Sequence, residues 1–245
     1  MKETIYTIPV NEEYDFDCEC PLCELEKKLE SEAVEYSLGP AMMEPDFRTE
    51  SNEKGYCNRH FKMMFLSPNK LPLALVLDTH LDELRNKLEI MKDTAQNSLS
   101  KKKSIFKKST TADISHEVSL LLSKLRCDCL VCEKINHTME RYVDVLLYMW
   151  ATDNDFKAKF ERSKGVCLKH LKMLLEGAKH SLKSKNQNPF LATLLKKECT
   201  ELSRIQEDIH RFTLKFDYRN QDMEWGTAKD APERTIEKLS GYMYD

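Results

Sequence analysis

This sequence predicts an all-α protein, and three observations carry the prediction. Apolar residues recur at three- and four-residue spacing over long stretches of the chain, the signature of amphipathic helices. Only six glycines and eight prolines punctuate 245 residues, too few for long disordered tracts. A cysteine–histidine pattern occurs twice and leads into a helical run each time. The expected architecture is two pseudo-symmetric helical repeats, residues 1–97 and 112–216, joined by a basic linker at 98–111. An irregular C-terminal tail with a short helix, residues 217–245, closes the body.

Residues 22–37 place Leu22, Leu25, Leu29, Ala33 and Tyr36 on one face, with charges elsewhere. Residues 38–56, broken by Pro40, Pro45, Asn52 and Gly55, read as an irregular excursion. A short helix from Cys57 through Phe65 stops before Pro68, and a long one after Pro72 presents Leu73, Val76, Leu77, Leu81, Leu84 and Leu88. Asn97 to Thr111 is rich in Ser, Thr and Lys and reads as the linker.

The second half replays the first. Ile135, Met139, Tyr142, Val143, Leu146 and Trp150 mark one helix, and residues 153–163 are helical where the first half has its proline-broken loop. The run LKMLLEGAKHSL parallels FKMMF, and LATLLKKECTELSRIQE aligns with LALVLDTHLDELRNKLE at an offset of 118 residues. From Phe216 no steady period survives until APERTIEKLSG, a short helix with Pro232 in its first turn and Gly241 at its end.

The duplicated pattern is Cys18-x-Cys20-x-x-Cys23 leading to Cys57-x-x-His60, then Cys127-x-Cys129-x-x-Cys132 leading to Cys167-x-x-His170. The second copy is displaced by 109 residues at the first three cysteines and by 110 at the last Cys and the His. Two ligands separated by two residues point at one ion from a tight backbone knuckle, and two knuckles supply a closed tetrahedral shell. Pairing knuckles within each repeat gives one site from Cys20, Cys23, Cys57 and His60 and a second from Cys129, Cys132, Cys167 and His170. Each knuckle sits at a predicted helix start, where free N–H groups favour thiolates. The expected cofactor is therefore zinc, two ions per chain, each in a Cys3His shell. An iron–sulfur cluster using Cys18 and Cys127 as extra ligands is the alternative, and the histidine-containing paired knuckles suit zinc better. Cys18 and Cys127 are otherwise read as spare thiols or as redox-active neighbours of the sites.

Other features carry less chemistry. Glu24 and Glu133 follow a knuckle directly and are read as complements to the helix dipole. His80, His116, His137, His180 and His210 lack ligand spacing, Cys199 is placed on the apolar stripe of its helix, and the methionines are read as core filler. Lys101, Lys102, Lys103, Lys107 and Lys108 form a basic run, but Phe106 is its one aromatic, which weighs against a nucleic-acid surface. The net charge of −3 becomes −8 without those five lysines, so the rest of the surface repels phosphate. No phosphate loop, nucleophile elbow or HExxH motif is present, which weighs against an enzyme. No apolar leader or membrane-length run occurs, and eight of nine cysteines fall into the two clusters, so a cytoplasmic protein with reduced thiols is expected.

The strings CECPLCELE, LGPAMMEPDFR, GYCNRH and SKGVCLKHL, with KFDYRN and WGTAKDAPERTIEKLSG in the tail, resemble an uncharacterised bacterial family, a domain of unknown function found mostly in anaerobic Gram-positive bacteria. The resemblance spans nearly the whole chain and implies a bacterial cytoplasmic protein with the duplicated metal sites. It brings no activity with it. One departure is Val166, where the family has an aromatic before the second CxxH, as at Tyr56.

Together these readings anticipate an intracellular interaction or regulatory module with structural zinc and a protein partner. A thiol-based redox or metal sensor is the alternative. A metal-dependent enzyme with its site between the repeats is the third reading.

Overall fold

The computed structural model describes residues 4–100, 111–220 and 222–243. Among these, eleven α-helices and three short 3-10 turns are joined by brief connections, and no strand occurs. The chain divides into two compact units, one of residues 1–29 with 137–245 and one of residues 30–136. The repeats expected at 1–97 and 112–216 are a different partition of the same chain.

The first unit opens with α1 (Thr4–Glu13) and the start of α2 (Pro21–Leu38), then takes the greater part of α7 (Leu130–Thr152). It continues through α8 (Asn154–Arg162), α9 (Leu168–Ser181), α10 (Ser184–Leu214) and α11 (Ala231–Ser240). Asp153 caps α8 by accepting the Asp155 and Phe156 N–H groups at 2.9 and 3.1 Å. Its Phe156 and Phe160, both buried, reach Tyr14 in an edge-on contact at 5.2 Å and Phe190 at 5.8 Å between ring centroids. Trp150 meets the same Phe190 edge-on at 5.0 Å, so aromatic packing joins α7, α8 and α10. The tail docks through α11, which packs on α9 and α10 and buries Lys238.

The second unit holds the rest of α2, then α3 (Pro45–Lys54), α4 (Asn58–Leu66), α5 (Leu71–Ser100), α6 (Thr111–Cys127) and the first residues of α7. Its core is smaller, drawn from Val34, Ala41, Tyr56, Met64, Leu73, Val76 and Ile135. Beyond Leu77, α5 leaves Leu81 and Leu88 exposed, so the apolar stripe read along that helix is buried only at its start.

Several expectations need correction. Residues 45–54 are the helix α3, not part of an irregular excursion, because Pro45 occupies the first helical position, where its missing N–H costs nothing. The ordered helix α5 runs to Ser100, into the stretch read as linker, while the five lysines at 101–108 lie outside the described residues. Cys199 is exposed: the buried side of α10 carries Leu194, Glu198, Glu201, Ile205 and Asp208. Among the methionines Met42, Met64, Met139 and Met149 are buried, whereas Met43 faces solvent.

Candidate metal centres

All four knuckles fall at helix starts, as their spacing predicts. Helix α2 begins after Cys20, α4 after Cys57, α7 after Cys129 and α9 after Cys167. Cys57 and Cys167 share nearly one backbone conformation, φ −70° and ψ 164° against φ −71° and ψ 163°. Both follow, by two residues, a glycine in the left-handed region, Gly55 at φ 67° and Gly165 at φ 76°. A side chain at Gly165 would also collide with the Glu198 carboxylate, whose Oε1 accepts the Val166 N–H at 2.8 Å.

The structure groups the knuckles differently from the within-repeat pairing. Cys20 and Cys23 meet Cys167 and His170 in the first unit, and Cys57 and His60 meet Cys129 and Cys132 in the second. Each CxxC is completed by the CxxH of the other copy. In the first cluster the His170 Nδ1 lies 3.4 Å from Cys20 Sγ, 3.5 Å from Cys23 Sγ and 3.2 Å from Cys167 Sγ, and Cys23 and Cys167 are 3.6 Å apart. In the second, His60 Nδ1 lies 3.2 Å from Cys57 Sγ, 3.1 Å from Cys129 Sγ and 3.5 Å from Cys132 Sγ, and Cys57 and Cys132 are 3.9 Å apart.

These edges can be compared with those of a tetrahedron. Zinc–sulfur bonds of about 2.3 Å and zinc–nitrogen bonds of about 2.0–2.1 Å require S···S edges near ~3.8 Å and S···N edges near ~3.6 Å. The observed separations agree to within a few tenths of an ångström, apart from the slightly contracted 3.1 Å edge to Cys129. Both groups thus suit one tetrahedral ion held by three thiolates and an imidazole. A multinuclear iron–sulfur cluster would hold its ligands farther apart, and Cys18 joins neither group. The side chain of Cys127 lies outside the described residues.

Electrostatics make the same demand. The Cys167 thiol is driven well below its ordinary pKa by hydrogen bonds from the Cys20 and Cys23 thiols, and by His170. Cys20 is pushed up by burial and by its thiol neighbours, and Cys132 by Cys129. A dication among the sulfurs would favour the thiolate form of all three. Burial opposes a charge on His60, yet Cys129 and Glu30 outweigh it and raise the ring to about 9.

Two carboxylates complete the surroundings, and the sequence reading passed over both. Glu30 Oε1 lies 2.8 Å from His60 Nε2, and Glu26 Oε2 lies 3.3 Å from His170 Nε2, without the alignment of a full hydrogen bond. Each acid also pairs with the basic residue just before its histidine, Arg59 with Glu30 and Lys169 with Glu26. A carboxylate on the far ring nitrogen fixes the tautomer that offers Nδ1 to a metal. The available signal was spacing: Leu22, Glu26, Glu30 and Ala33 lie on one face of α2, and all four are buried.

The remaining candidates are dispersed. Glu133 pairs with Lys54, and His80 Nδ1 lies 2.8 Å from the Asn52 carbonyl oxygen. His116, His137, His180 and His210 are exposed. Cys18 is half-buried, and burial together with Glu24, Glu13 and Glu237 pushes its thiol up to about 12, the opposite of a reactive thiolate. No described helix is long and apolar enough to cross a membrane.

Residues 1–245 match the family described as "Family of unknown function (DUF6062)". The chain belongs to that family. No curated protein and no solved structure matches it. The ligand geometry of this DUF6062 chain therefore stands as its main functional evidence.

Proposed function

We propose that this protein binds two zinc ions, one in each Cys3His group, and that the ions are structural elements of an interaction or regulatory module. The supporting observation is the reach of each ligand set. In the first unit, ligands 144 to 150 residues apart converge, and in the second, ligands 69 to 75 residues apart. An ion at such a place fastens remote parts of one unit, and a structural zinc is worth on the order of 10 kcal/mol of folding free energy in small zinc peptides. Four protein ligands leave no open position for substrate or water, which a catalytic zinc needs. The thiols call for a reducing compartment, in keeping with a cytoplasmic protein.

The reading is tested by elemental analysis and an absorption spectrum of protein purified without oxygen. Two equivalents of zinc per chain and no visible band are expected. A brown, iron-containing solution, or no bound metal, would overturn it.

A further inference from the structure

The two groups differ in how solvent reaches them. Cys20, Cys23, Cys167 and His170 have no exposed surface. The tail lies over this group: a Cβ built on Gly241 would lie 3.9 Å from Cys23 Sγ, and Tyr242 next to it is buried. Lys238, one turn earlier on α11, donates to the Lys164 carbonyl oxygen at 2.6 Å and the Glu19 carbonyl oxygen at 3.4 Å, which ties the tail to the segments entering both knuckles. In the other group His60 and Cys129 are buried, but Cys57 and Cys132 are partly exposed. The helices that carry Cys57 and follow it leave Phe65, Leu66 and Leu71 in solvent.

Replacement of a zinc ligand proceeds through an entering donor that must approach the ion. Where two of the three cysteines are partly exposed, a competing thiolate or chelator can displace Cys57 or Cys132, and the freed sulfur is hydrated or takes a proton. Where all four ligands are enclosed, exchange waits for the tail or a knuckle to open. We infer that the Cys57–His60–Cys129–Cys132 group is an exchangeable site for a thiophilic divalent cation, and that the Cys20–Cys23–Cys167–His170 group retains its ion. The inference rests on the zinc reading above and gives the two sites different roles: a permanent fastening in the first unit, and in the second an ion that follows its supply.

The test starts with full-length protein carrying two zinc equivalents, a count that checks the zinc reading by itself. Excess chromophoric zinc chelator is added, and samples are pulsed with iodoacetamide and mapped by peptide mass. Release in two phases of one equivalent each is expected, the first at least tenfold faster, with Cys57, Cys129 and Cys132 alkylated during it and Cys20, Cys23 and Cys167 protected. Exposed Cys199 reports labelling efficiency. A single rate constant for both ions, or earlier labelling of Cys20, Cys23 and Cys167, would overturn the inference. Cys132→Ser protein gives an independent check: its remaining equivalent should leave only in the slow phase, and a surviving fast phase would contradict the assignment.

Discussion

Glu30 Oε1 lies 2.8 Å from His60 Nε2, on the edge of the ring opposite the three sulfurs. The acid is buried and also holds Arg59. Loss of such a partner weakens metal sites by about 10- to 100-fold. Glu30→Ala should therefore lower zinc affinity at one site by that factor in a chelator competition, and Glu30→Gln, which keeps an acceptor, by less. Glu26→Ala should have a smaller effect, since its contact to His170 is 3.3 Å and poorly aligned. Unchanged affinity in Glu30→Ala would separate the carboxylate from the metal site.

Lys238 makes a second prediction. Its ammonium is enclosed, bonded to two carbonyl groups and 3.5 Å from Glu198 Oε2. Lys238→Ala leaves a buried carboxylate without its countercharge, which should cost about 3–5 kcal/mol in chemical unfolding. The pair Lys238→Met with Glu198→Gln should recover a large part of that loss, because Gln keeps an acceptor for Val166 and no charge is stranded. A double variant no more stable than Lys238→Ala would show that the pair is not the cause.

The tail is also held through an acid-sensitive contact. Asp208 accepts from Thr227 Oγ1 at 2.6 Å and Arg234 Nη1 at 3.0 Å. Burial acts to raise its pKa, but Thr227 and Arg234 outweigh it and hold the carboxyl below its usual range. A folded pKa below the unfolded one means stabilisation that is present above the ordinary value near ~4 and is lost as pH falls through the lower folded value. Asp208→Asn should cost about 1.5–3 kcal/mol at neutral pH, with a gap to the native protein that closes under acid. A gap independent of pH would refute this.

The helices were legible where periodicity was strong: α2, α4, α7, α8, α9 and α11 fall where spacing, proline and glycine put them. Helix α1 carries Pro9 and no clear apolar stripe, and α3 was hidden by the proline that begins it. The eight residues that gather in the two groups stand in knuckle spacing in the sequence, because a CxxC or CxxH is a local property. Which knuckles meet was not readable. Within-repeat pairing would close loops of 34 residues, from Cys23 to Cys57 and nearly the same in the second copy, against the 144 seen between Cys23 and Cys167. Two doublings of loop length cost only about 1.2 kcal/mol, which packing easily outweighs. Cys57 and His60 belong to the other unit. The buried Glu26 and Glu30 were missed because charge was read as exposure, though both occupy the face of Leu22 and Ala33.

The exchange of knuckles between copies is the central claim, and counting metal in paired variants tests it directly. Cys23→Ser with Cys167→Ser disrupts one predicted group and should leave one zinc per chain, whereas Cys23→Ser with Cys57→Ser disrupts both and should leave none. Within-repeat pairing predicts the reverse, with one ion retained by the Cys23 and Cys57 pair and none by the Cys23 and Cys167 pair; that result would contradict the account.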